Sequence, residues 1–161
     1  MRKFLRRQNE FGAKGADMAL VTRNHPKLTL EGAQAVVAAA EKKAQEIRCP
    51  MNIAVVDDGG HLLGFARMDG AKLSSIEIAL LKARSAAARR AATGPVMKGE
   101  EVNLLLSMGL AVGNPGEHTP IRGGLPLVVE GQTVGAIGVS AGSEDQDVEV
   151  ARAGAAALEK A

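Results

Sequence analysis

Aromatic residues are almost missing from this chain: three Phe, no Tyr and no Trp among 161 residues. Proteins that hold single-stranded nucleic acid stack bases on such rings, so that mode of binding has no platform here. Charge of one sign is also lacking, since the net charge is only +2. The basic groups Arg2-Lys3-Arg6-Arg7 and Arg84, Arg89, Arg90 are too few to make a strong electrostatic case, and nucleic acid is not expected as a partner. A single cysteine, Cys49, excludes an internal disulfide and any multi-cysteine metal site. It reads as a small packed hydrophobe and fits a reducing, cytoplasmic setting. No apolar run reaches the roughly 20 residues that a spanning helix needs, so no membrane segment is expected.

What remains is a chain of single-domain length. Residues 1–26 are expected to form a flexible basic arm, because no apolar core follows their positive start and Glu10 and Asp17 interrupt it. Residues 27–161 are read as the folded domain. A helix opens at Thr29, a hydroxyl suited to the free amides of a first turn. Leu30, Ala33, Val36, Val37, Ala40, Ala44 and Ile47 give it one apolar face. Cys49-Pro50 stops it. Ile53–Val56 and Leu62–Ala66 surround the polar break Asp57-Asp58-Gly59-Gly60 and predict a hairpin.

Ser74 with Glu77 predicts a capping box for a second helix, an alanine-rich run that extends to Gly94-Pro95. Its small residues suit burial on more than one side. A short helix is expected around Glu100–Met108. Ala111–Arg122 reads as a loop with room for one short strand. Leu125–Glu130 and Gln132–Ser140 predict a second hairpin, whose Gly135 and Gly138 mark a close approach by backbone or ligand. Ser143 caps a last helix over Glu144–Lys160, with Glu144, Asp145, Asp147 and Glu149 near the positive end of its dipole. Hairpins make antiparallel pairs, so the fold class is α+β, with helices on the faces of the sheet.

Four segments in order, AVVDDGGHLLGFARMDGA, SSIEIALLKA, GGLPL and VGAIGVSAGSEDQDVEVA, carry a resemblance. The chain resembles the GlcG/HbpS family of small haem-binding proteins, which also supplies the C-terminal domain of PduO-type proteins. The likeness runs from about Leu28 to Leu158. It implies a profilin-like layered domain with a five-stranded antiparallel sheet, and a homo-oligomer, from dimer to octamer. It also implies binding of haem or a related tetrapyrrole.

Several residues are candidates to carry chemistry. His61 at the first turn and His118 in the loop before GGLPL can ligate haem iron or move a proton near neutral pH. Arg67 and Asp69 flank Met68 at the end of a strand. Arg67 would hold a carboxylate or propionate, unless the two form an ion pair that fixes the connection. Lys82 would face Asp57, Asp69 or an anionic ligand, or else snorkel at the surface. Thr93 stands where the resemblance places a threonine tied in one branch to haem coordination, although Ala92 replaces the usual proline before it. Gly123 and Gly124 would let backbone amides approach a ligand. Three functions stay open at this point: a haem-binding oligomer, a small isomerase or hydrolase acting on an organic acid through Arg67 and a histidine, and a scaffold without pocket chemistry.

Overall fold

A computed structural model describes residues 25–158; the expected arm lies outside these residues, apart from His25 and Pro26. The elements run α1 (Leu30–Glu46), β1 (Asn52–Asp57), β2 (Leu62–Arg67), α2 (Ile76–Arg89), β3 (Met97–Lys98), β4 (Glu101–Val102), α3 (Leu104–Gly113), β5 (Gly124–Val129), β6 (Gln132–Ser140) and α4 (Glu144–Ala155). The class is α+β. Among the described residues the main sheet has four antiparallel strands in the order β2-β1-β6-β5, not the five implied by the resemblance; β3 and β4 form a separate two-stranded ribbon. Pro126 is tolerated because β5 lies at an edge, where a missing N–H leaves no ladder bond open.

Three layers result. Central strand β1 alternates its side chains between two cores: Ile53 and Val55 meet α1 and α4 on one face, and Ala54 and Val56 meet α2 on the other. Helix α1 begins as its sequence requires, with Thr29 Oγ1 accepting from Gly32 N at 3.1 Å. It buries Ala33, Val36, Ala40 and Ala44, while Leu30 stays exposed. The α2 face is built from small residues for a physical reason. A Cβ on Gly138 would sit 2.1 Å from the Ala79 carbonyl and 2.4 Å from the Ala83 nitrogen, so helix and sheet touch backbone to backbone. The close approach expected at Gly138 is therefore to α2.

Some boundaries differ from expectation. Ser74 lies inside a 3₁₀ turn, Leu73–Ser75, and makes no capping box; α2 starts at Ile76 with no side-chain cap. The box belongs to α4, where Ser143 Oγ accepts from Gln146 N and Gln146 Oε1 accepts from Ser143 N. Helix α2 ends at Arg89, because Arg90 turns to a left-handed φ of 51°. Helix α4 ends at Ala155 rather than Lys160. The helix expected at Glu100–Met108 shifts to Leu104–Gly113, capped by Asn103, and the residues before it form the ribbon. The following loop holds no strand before β5.

Candidate functional site

Both hairpin turns emerge at the same end of the sheet. At the first, the Asp57 carboxylate accepts from Gly59 N at 2.9 Å and from His61 N at 2.8 Å, and Gly60 takes φ 82°. An Asx turn of this kind fixes the loop through its own first residue and leaves the His61 ring exposed. Beside it lies an open cavity of about 520 Å³, lined by Asp58, Gly60, His61, Arg84, Gly116 and Glu117 among others. Helix α2 contributes Arg84, and the loop after α3 contributes Glu117. Leu62, Ala88 and Pro115 give the cavity its apolar surface.

The charges at this site divide sharply. Asp58 is committed: Lys27 Nζ reaches both its oxygens, at 2.8 and 2.6 Å, and His25 Nε2 lies at 3.3 Å. The hydrogen bond from Lys27 holds the Asp58 carboxyl below its ordinary range, against partial burial. Arg84, His61 and Glu117 enter no ion pair among the described residues. A free guanidinium and a free imidazole beside apolar surface suit an anionic, partly apolar ligand. Among the described residues no cluster of three or more His, Cys, Asp or Glu is placed to hold a bare metal ion.

His118 follows Glu117 but turns inward. It is buried, its Nε2 meets no partner among the described residues, and its backbone N donates to Asn114 O. Burial, helped by Arg89, holds its pKa below the ordinary histidine value. It does not line the cavity.

The Arg67-Met68-Asp69 corner sits elsewhere. Arg67 pairs across β1 with Asn52, six residues along β2 and its turn from His61, or about 20 Å of extended chain. Together with Glu41 and Gln45 the corner lines a recess of about 390 Å³ that contains neither histidine. No ion pair joins Arg67 to Asp69 among the described residues, and Met68 packs against the core with its sulfur near Met51 N. Gly123 lies at the same end of the sheet as Arg67 but against the opposite edge, three strand spacings or roughly 14 Å across. The Arg67 corner and the glycine pair thus share none of the cavities described here. An enzyme site that combines Arg67 with a histidine is not assembled within one protomer.

Lys82, Thr93, Gly123 and Gly124 do come together, but as an internal lock. Lys82 is 1% exposed; its Nζ donates to Val139 O at 2.8 Å and to the Asp147 carboxylate at 2.7 Å. It is neither a surface lysine nor open to a ligand. Gly123, at φ 117°, passes over this pair; a Cβ there would lie 2.8 Å from Asp147 Cβ and 3.0 Å from Lys82 Nζ. Gly124 N donates to Thr93 Oγ1 and Thr93 N to Gly124 O. The Gly124 amide and the Thr93 hydroxyl, both expected to meet a ligand, are therefore spent on each other. Asp147, read from sequence as a favourable first-turn acid, is the buried partner of Lys82 and also accepts from Gly142 N. The reading from sequence missed Arg84, Asp58 and Glu117 as site residues. The available signal was an arginine two positions from Lys82, which falls on a different face of the same helix.

Residues 28–156 match the family described as haem degrading protein HbpS-like. Protein GlcG of Escherichia coli K12 is 41% identical over 113 residues, 70% of this chain and 81% of that protein. Among solved structures, the Klebsiella pneumoniae protein ORFY superposes with a TM-score of 0.75 at 34% identity, covering 89% of this chain and 99% of that one. The PduOC:haem complex superposes at 0.71 with 30% identity, covering 82% and 95%. Sequence and fold agree along almost the whole described chain, which belongs to the HbpS-like family.

Proposed function

We propose that this protein binds haem or a related tetrapyrrole as a homo-oligomer, between dimer and octamer, in the cytoplasm, and that the ligand enters the His61–Arg84 cavity. The observation that carries the reading is the likeness to a solved domain bound to haem. The donors in the cavity fit such a group. His61 offers an exposed imidazole for the iron, Arg84 a guanidinium with no ion pair among the described residues for a propionate, and Leu62, Ala88 and Pro115 an apolar wall for the ring. When bound, haem would supply an iron centre with redox and ligand-binding chemistry; the chain's own part is to hold it and screen one face from water.

Titration of the purified protein with haemin is expected to give a saturable Soret band. His61→Ala should shift or abolish that band, and Arg84→Ala should weaken binding by about tenfold, the worth of one charge-assisted hydrogen bond. A titration without saturation, or one unchanged by both substitutions, overturns the assignment.

A further inference from the structure

The Arg67-Met68-Asp69 corner has no part in the cavity assigned to a tetrapyrrole, since none of its residues lines it. Its frame is nonetheless firmly held. Arg67 closes the β1–β2 ladder opposite Asn52, Met68 N donates to Met51 O at 3.1 Å, and Ala71 N donates back to Met68 O at 3.0 Å. With Gly70 at φ 86°, these bonds set Asp69 on a tight turn. Helix α1 lies close over the middle of β2, where a Cβ on Gly64 would stand 3.3 Å from Val37 Cγ2. Beyond the end of β2 the two part. There Glu41 and Gln45, one helical turn apart on α1, share with the corner the recess of about 390 Å³.

Opposite charges line this recess without meeting. Arg67, Glu41 and Asp69 enter no ion pair among the described residues, although all three border one hollow. Two carboxylates against one guanidinium leave an excess of one negative charge. A ligand that satisfies all three therefore carries one carboxylate and two cationic groups. Met68 supplies the apolar surface of the recess, which suits a short methylene stem. We infer that the recess binds a basic amino acid, with its carboxylate on the Arg67 fork, its two cationic groups on Glu41 and Asp69, and its stem along Met68. A ligand with a second carboxylate meets repulsion here, and one with a single ammonium leaves an acid unmatched, so the count of charges sets the specificity. The inference does not rest on the tetrapyrrole reading, whose cavity is lined by other residues.

Isothermal titration calorimetry of the full chain with L-lysine tests the assignment, with L-norleucine, L-glutamate and cadaverine for comparison. L-Norleucine keeps the stem and lacks the second ammonium; cadaverine keeps both cations and lacks the carboxylate. L-Lysine is expected to saturate the protein and to bind more tightly than each of the other three by about tenfold or more. Arg67→Gln should remove its advantage over cadaverine, and Asp69→Asn its advantage over L-norleucine. Arg67 and Asp69 are exposed, so both variants are expected to keep the circular dichroism of the original. Glu41→Gln takes the place of Asp69→Asn if that variant does not fold. No saturation by L-lysine at about 10 mM, or L-glutamate binding as tightly as L-lysine, overturns the inference. Saturation that the substitutions leave unchanged puts the amino acid elsewhere and overturns the recess as its site.

Discussion

His118 illustrates how one side chain takes its properties from position rather than type. Its ring is enclosed beside Arg89, and its Nε2 has no hydrogen-bond partner among the described residues, so a proton there gains nothing and is opposed by a neighbouring cation. A histidine whose pKa falls on folding contributes stability above its unfolded value, near pH 6.5, and loses it as pH falls through the folded value. The unfolded chain binds the proton more readily, so stability rises with pH across this window. The melting temperature is accordingly expected to drop on acidification from about pH 7.5 to pH 5. His118→Gln, which cannot titrate, should flatten that drop. Superimposable profiles for the two proteins would show that the buried ring makes no contribution.

At the scale of elements, the close contact between α2 and β6 sets the tightest requirement. Because the obstruction at Gly138 is backbone rather than a mobile side chain, the strand and helix must separate to admit even a methyl group. Gly138→Ala is expected to destabilise the protein by about 3 kcal/mol, the upper end of overpacking penalties. Chemical denaturation measures this, and a loss under about 1 kcal/mol would mean that α2 slides freely on the sheet. The two hairpins, the cap at Thr29 and the helix started by Ser143 were all legible in the sequence, since each depends on residues within a few positions of one another. The β3–β4 ribbon was not, because two-residue strands carry no period to detect. Helix α2 was expected to run four residues too far because Ala91 and Ala92 favour helix, and Arg90 in the left-handed region overrides them. The site was legible only at His61. Arg84 and Glu117 reach it from α2 and from a loop, and no local pattern records that meeting.

Across the whole molecule, Lys82 and Asp147 connect what the sheet separates. Lys82 belongs to α2 on one face, Asp147 to α4 on the other, and they meet around the end of β6, where Val139 O completes the set. They stand 65 positions apart in the sequence, and each looks like a surface residue in its own helix, so the pairing is invisible locally. Burial pushes the Asp147 carboxyl above its ordinary range, against the pull of the Lys82 ammonium and the Gly142 amide. Neither partner is therefore tolerable alone. Lys82→Met leaves a carboxylate buried without its cation, and should cost about 3–5 kcal/mol, a large part of the 5–15 kcal/mol typical of a domain. Replacing both, as Lys82→Met with Asp147→Leu, removes the desolvation penalty together with the attraction and is expected to restore at least half of that loss. Equilibrium unfolding of the single and double variants forms the required cycle. If the double variant is as unstable as the sum of the two single ones, the pair does not act as a unit, and the two helix layers are joined only by the apolar cores on either side of β1.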